Sequence, residues 1–375
     1  MAQSLMAEDG PPAPRRIRAA RELRGLTQKA VVEKMNYDIS TAALSQIENG
    51  KVRPSGATLA ALADVLEVPL AFFSAQWPTG AKRSGDTVTF FRDLRSTSSR
   101  ERKRASAIAL LVADLVAAIE LQVRLPDLDL PNRPVAADGT REDVEDAARL
   151  ARRAWNLPED EPVPEVVREL ERHGVPVARL VIGHTATDAF TAEFARRPIV
   201  LLTDDKSNYV RSRFDAAHEL GHLVMHDDAE PGTRLVENQA HDFASAFLLP
   251  VAVAEDVLPS RLDSGGWARL AELKRTWGIS MSALLYRART LRIMSEDTHR
   301  NAMKLMSARG WRATEPGDRE MGPPESPLLI ERALKRIEVE KGLTTLDVIR
   351  EAHLPVQDAL DIVRAATDHR PVITV

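Results

Sequence analysis

The stretch His218-Glu219-Leu220-Gly221-His222 sets two imidazoles four residues apart, with a carboxylate beside the first. On an α-helix such positions lie one turn apart on the same face, so both rings can bind one Zn²⁺ at about 2.0–2.1 Å each. Glu219 then stands where it can take a proton from a water on that ion, which is the chemistry of a zinc hydrolase. A catalytic zinc usually takes three protein ligands and leaves one position for water. The downstream acids are Asp227, Asp228, Glu230 and Glu237, and His226 also offers a ring. His226 lies eight residues past His218, about 12 Å along a helix axis, so it reads as a supporting or structural histidine. Glu237 is the better third ligand because it opens a new amphipathic helix with His241 one turn later on the same face. A histidine there can hydrogen-bond the ligand carboxylate and orient it, whereas Asp242 points about 100° further round.

Phe214-Asp215-Ala216-Ala217 before the motif and Leu223-Val224-Met225 after it suit a buried helix. Upstream, helices are expected at Arg141–Trp155 and Pro164–His173. Short β-type runs follow at Val175–Ile182, Ala189–Phe194 and Ile199–Thr203. Ile199–Thr203, just before the active helix, is expected to offer an edge to an extended substrate. Tyr209, Tyr286 and Arg213 are candidate oxyanion donors. A helix from about Val236 to Leu248 stops at Pro250. Leu270–Trp277, Gly278 and Ser280–Leu291 have a helix-turn-helix shape, read more simply as a hairpin completing the hydrolase body. Three more helices are expected beyond Pro327.

With 375 residues, 28% charged and 44% hydrophobic, the chain has material for two or three domains. It contains no cysteine, which excludes disulfides and thiolate zinc sites and leaves His, Asp and Glu as ligands. Met1 to Pro14 has no apolar core of a signal sequence, and cytoplasmic residence is the expectation. The stretch Ala105 to Leu125 is apolar but contains Asp114 and Glu120, so it reads as an amphipathic helix and not as a membrane span. Its stripe Ile108, Leu111, Leu115 and Ile119 must pack on the body or on a second subunit.

The net charge is −4, yet Arg15 to Glu67 holds nine basic against six acidic residues, a local +3 that leaves −7 elsewhere. A basic module on an acidic body fits local DNA contact. Short helices are expected at Arg15–Arg24, Thr27–Met35, Ser40–Glu48 and Thr58–Leu66, with Thr27 and Ser40 as N-caps. The short helix opening at Ser40 shows Thr41, Ser45 and Gln46 on its polar face. Such a helix fits the major groove, where Gln can make paired hydrogen bonds to adenine. Gln28 begins the preceding helix and is placed to grip a phosphate; Asn49, Lys51 and Arg53 follow in a loop suited to phosphate contact.

Over roughly 55 residues, the motifs GLTQ, LSQIENGKVRPS and LADVLEVPLAFF resemble the Xre/Cro-type helix-turn-helix family. The resemblance implies that Thr41, Ala42, Ser45 and Gln46 face bases, and that a dimer reads a palindromic operator with half-sites about 34 Å apart. Ala42 and Ala43 leave this recognition helix poor in hydrogen-bonding groups, so methyl contacts and DNA shape take part of the specificity. RFDAAHELGHLVMH followed by VENQAHDFASAFLLP resembles the ImmA/IrrE-type metallopeptidases, with the likeness spanning roughly residues 140–260. It implies a zinc-dependent endopeptidase with His218, His222 and Glu237 as ligands and Glu219 as catalytic acid/base, acting on repressor-type proteins. His241 replaces that family's usual Asn or Asp.

The expected fold is α+β and mainly helical. A disordered tail at 1–14 precedes an all-α helix-turn-helix bundle at 15–75. A linker with a short strand at Thr87–Phe91 and a connecting or dimerisation helix fills 76–139. A metallopeptidase-like domain with a small antiparallel sheet takes 140–260, and a helical region 261–375. The expected protein is a homodimeric regulator, away from membranes, that binds a double-stranded operator and cleaves a repressor-type protein. Zn²⁺ is its expected metal, with Mn²⁺ or Fe²⁺ also accepted by a His₂Glu set. The alternative is a non-catalytic transcription factor whose protease-like domain senses a ligand or metal.

Overall fold

The computed structural model describes residues 13–74, 98–180, 189–192, 194, 197–203, 208–226 and 233–367. The expected strand at Thr87–Phe91, the acids Asp227, Asp228 and Glu230, and all but the end of the expected tail lie outside them.

The amino-terminal bundle comprises α1 (Pro14–Leu23), α2 (Gln28–Lys34), α3 (Thr41–Glu48) and α4 (Gly56–Leu66), closed by a 3₁₀ turn at Leu70–Phe73. The hydroxyls of Thr27, Ser40 and Ser55 accept hydrogen bonds from backbone N–H groups three residues on, which starts α2, α3 and α4. Ile17, Val31, Leu44, Ile47, Leu62 and Phe73 fill a core private to this bundle.

The long helix α5 (Ser99–Gln122) begins with a capping box in which Ser98 and Glu101 satisfy each other's backbone N–H. It is long and apolar enough to cross a membrane by length and composition. In this chain its apolar sides, with Ile108, Leu111, Leu115 and Ile119, are buried in the protein's own core. A second subunit is therefore not what covers that stripe. The apolar residues recur too often around α5 for one face, and the sheet and carboxy-terminal helices take up the remainder.

Next come α6 (Arg141–Ala154), α7 (Val166–Arg172), β1 (Val177–Leu180), β2 (Ala189–Ala192) and β3 (Ile199–Thr203). After them follow α8 (Tyr209–Met225), α9 (Arg234–Leu248) and α10 (Val251–Val257). The strand order is β1-β3-β2. β1 runs parallel to β3 with Val177 opposite Val200, and β2 runs antiparallel with Ala189 opposite Leu202. The sheet is thus mixed, a correction to the antiparallel expectation. Strands buried on both faces read as continuous apolar runs whichever way they pair, so strand direction left no mark in the pattern. β3 is central with both edges taken, which removes it as the docking edge; among the described residues β2 is the outer strand on that side.

Alternate residues of the sheet face two cores. Val177, Ala189, Val200 and Leu202 join α8 and α9, while Ala178, Phe190, Ala192, Ile199 and Leu201 join α5. Gly221, inside the histidine motif, lets α9 come close to α8. A Cβ there would sit 2.9 Å from Cδ1 of the fully buried Phe243 ring.

The chain continues with α11 (Ser264–Trp277), α12 (Met281–Thr290) and α13 (Glu296–Ala308). The last described helices are α14 (Leu329–Lys341), α15 (Thr345–Glu351) and α16 (Val356–Thr367). Leu270, Leu273, Leu284 and Leu285 of α11 and α12 lie in the same core as α8 and α9, so this pair is the hairpin that completes the body. The last three helices cover α5. The amino-terminal bundle docks on this body through α1. Arg16 pairs with Asp114 of α5, and Arg24 grips Asp358 of α16 with hydrogen bonds of 2.6 and 2.8 Å.

Candidate metal centre and nucleic-acid interface

α8 carries His218 and His222 on one face, and α9 crosses that face with Glu237 in its first turn. The Nε2 atoms of the two histidines are 3.1 Å apart. Glu237 Oε2 lies 3.4 Å from His218 Nε2 and 3.8 Å from His222 Nε2. A triangle with these sides has a point about 2.0 Å from each corner, which is the bond length zinc makes to imidazole nitrogen and carboxylate oxygen. These three donors could hold a metal ion, and they are the one such cluster among the described residues.

The protonation of His222 follows from its neighbours. Gln239 donates from Nε2 to the Ala136 carbonyl at 2.7 Å, which turns its Oε1 toward His226 Nε2 at 3.0 Å. His226 must therefore carry its proton on Nε2 and accept at Nδ1. Burial, aided by His222, lowers His226 to about 4, so the ring is neutral near pH 7. The 3.0 Å contact between the Nδ1 atoms is then a donation from His222. His222 is left with a lone pair at Nε2, aimed at the Glu237 carboxylate. Two such electron-rich atoms repel unless a cation lies between them, so the donor set fits a metal.

Glu219 is 1% exposed, and Thr191 of β2, fully buried, donates to its Oε2 at 2.7 Å. Neither Thr191 nor Gln239 was anticipated. Each is a polar residue on an otherwise apolar inward face, and that mismatch was the available signal. His226 supports His222 from the next turn, as its distance along the helix required. The His241 ring packs tilted against Phe214 and edge-on to Tyr286, with ring centroids at 4.7 and 4.8 Å. Asp242 accepts from Tyr286 at 2.9 Å. Arg213 is buried in an ion pair with Glu325 and donates to the carbonyls of Val163 and Pro164; Tyr209 lies 3.3 Å from it. Arg213 and Tyr209 thus brace the body and do not face the three donors.

On the amino-terminal bundle, Thr41, Ala42 and Gln46 are exposed along α3, Ser45 is half-buried, and Asn49, Lys51 and Arg53 are exposed after it. Asn49 donates to the Ser45 carbonyl at 2.8 Å and accepts from Arg18 at 2.6 Å, which closes the helix end. Gln28 starts α2. It is half-buried, and its amide donates to Glu48 at 2.8 Å. Glu48 also receives Arg21 at 2.6 and 2.8 Å, so in this structure the Gln28 amide joins a polar knot behind α3.

Fold and site together define a class, a helix-turn-helix DNA-binding regulator joined to a metallopeptidase-like domain. Residues 17–73 match the family model described as helix-turn-helix, and residues 170–289 match the one described as IrrE N-terminal-like domain. The chain is thus a fusion of an Xre-like domain with an ImmA/IrrE-type domain. The second match reaches into α12, beyond residue 260 where the sequence reading ended the hydrolase domain. Comparison with curated proteins gave no match.

Proposed function

We propose that the protein is a transcriptional regulator whose second domain is a zinc-dependent endopeptidase that cleaves a repressor-type, helix-turn-helix protein in the cytoplasm. The observation that carries this reading is the convergence of His218, His222 and Glu237 from two helices, with Glu219 beside them. Those three residues would hold the ion, with Mn²⁺ or Fe²⁺ as other acceptable occupants. The metal, when bound, supplies Lewis acidity that activates a water and polarises the scissile carbonyl. Glu219 accepts the proton of that water as its oxygen attacks the carbonyl carbon, then returns the proton to the leaving amine nitrogen. Thr191 fixes the carboxylate through Oε2, and His226 with Gln239 keeps His222 in its ligating tautomer.

The test is incubation of the metal-loaded protein with a repressor encoded beside it. Cleavage that a chelator stops supports the peptidase reading; metal bound without any cleavage supports the sensing alternative. His218→Ala is expected to abolish metal retention. His226→Ala, which removes only the support of a ligand, is expected to weaken metal affinity about 10–100-fold, measured by competition with a chromophoric chelator.

In the first domain, α3 is proposed to enter the major groove of a palindromic site bound by a dimer, with Thr41, Ala42, Ser45 and Gln46 toward the bases. Gln46→Ala is expected to relax sequence preference with a loss of about 1–3 kcal/mol on the preferred site. Lys51→Ala is expected to weaken binding on all sequences and to reduce the salt slope by about 1, read from anisotropy titrations.

A further inference from the structure

A cleft of about 870 Å³ opens beside the metal centre, between the first half of α8, α12, α13 and residues 312–322. None of the three donors lines it, but its wall shares α8 and α9 with them. Arg211, Phe214 and Asp215 line the cleft, and they share one stripe of α8 with His218 at spacings of seven, four and three. On α9, His241 lines the cleft one turn after Glu237.

The acids in its wall are already committed. Glu315 accepts from the backbone N–H of Met281 and Ser282 and from the Ser282 hydroxyl, at 2.7 to 2.9 Å. The buried Lys274 ammonium lies 3.1 Å from Glu315 and also pairs with Asp318. Asp215 has a partner as well. Arg211, Arg312 and Arg319 are exposed, and their guanidinium groups make no ion pair with a described residue. The cleft therefore presents three guanidinium groups that pair with no described acid, in a form that matches carboxylates in paired hydrogen bonds.

We infer that this cleft receives an acidic stretch of the polypeptide substrate, an inference that rests on the peptidase reading of the adjoining centre. Seven residues of α8 separate Arg211 from His218, about 10 Å along the axis. That is about three residues of extended chain, so Asp or Glu side chains at that remove from the scissile bond meet the arginines. A volume of this size accommodates a segment of several residues.

The binding test uses full-length, zinc-loaded Glu219→Gln protein and two fluorescein-labelled decapeptides, alike except that four Glu in one are Gln in the other. The acidic peptide is expected to bind about tenfold more tightly, and Arg312→Glu with Arg319→Glu to erase that preference. Both positions are exposed, and an unchanged melting temperature and Arg312→Ala with Arg319→Ala guard against a folding artefact. Lys335→Ala with Arg336→Ala, exposed on α14, is expected to leave the preference intact. Equal binding of the two peptides, or a preference that survives the charge reversal, overturns the inference. So does a ten-base oligothymidine that binds this cleft more tightly than the acidic peptide.

Cleavage-site profiling of a peptide library with the active protein separates the two readings. Cuts flanked on one side by Asp or Glu about three residues away support both. Cuts without that bias overturn the inference and leave the peptidase reading standing. No cuts, with the acidic preference in binding retained, remove the peptidase reading and leave the cleft as an acidic-peptide site.

Discussion

Replacing Glu219 by glutamine is expected to lower kcat/KM on a cleavable protein substrate by about a thousandfold or more while leaving the bound metal in place. The substitution is nearly isosteric, and a glutamine oxygen can still accept the 2.7 Å hydrogen bond from Thr191. The buried pocket therefore keeps its partners, and the ligands His218, His222 and Glu237 are untouched. What disappears is a basic oxygen that can hold a proton between attack and departure. General acid–base catalysis contributes about 10²–10⁴-fold, and here one group serves both half-steps. A thousandfold loss corresponds to about 4 kcal/mol of transition-state stabilisation. Metal content by emission spectroscopy, measured alongside the kinetics, distinguishes this outcome from simple loss of the ion. Full activity in the variant would remove Glu219 from its assigned role. Thr191→Val gives a smaller effect. The carboxylate loses the donor that fixes its Oε2, so kcat is expected to fall modestly with the metal retained.

The parts of the molecule that were legible in the sequence are those whose chemistry is local. An i, i+4 histidine pair declares a shared face, and hydroxyl residues at Thr27 and Ser40 declare helix starts without reference to anything distant. β3 was bounded correctly because a β-branched and leucine run closes at polar residues. Glu237 was reachable because it starts a second amphipathic helix. What escaped depends on partners far along the chain. Thr191 meets Glu219 only because β2 folds across α8, and Gln239 acts through a carbonyl at Ala136. The parallel pairing of β1 with β3 is a matter of topology that a wholly buried strand does not encode. The contact that Gln28 makes was hidden for the same reason. Its hydrogen bond goes to Glu48, twenty residues on, and a surface glutamine reads identically to one that reaches a buried acid.

The link between the two functional halves yields the other large prediction. Asp114 sits in the middle of α5, 7% exposed, and pairs with Arg16, itself 3% exposed, through two contacts. Burial raises Asp114 to about 6 against the opposing pull of Arg16, so the carboxylate is ionised at pH 7. Asp114→Ala leaves a guanidinium buried without its counter-charge, and the expected loss is about 3–5 kcal/mol in denaturant unfolding. Arg16→Met combined with Asp114→Leu removes both charges and is expected to restore most or all of it, because desolvation offsets much of what the pair gains. The pH dependence has a definite sign. The folded value of about 6 lies above the ordinary 3.8, so the folded state binds the proton more tightly. The wild-type protein should therefore lose stability relative to the double variant as pH rises from about 4 to about 6, and the gap should level off above that. The amino-terminal bundle keeps its own core around Val31, Leu44 and Leu62, so Asp114→Ala is expected to loosen its docking without unfolding it. Calorimetry of that variant should then show two transitions, with operator affinity retained. A single cooperative transition at the wild-type temperature would mean that the pair does not hold the DNA-binding bundle to the metallopeptidase-like body.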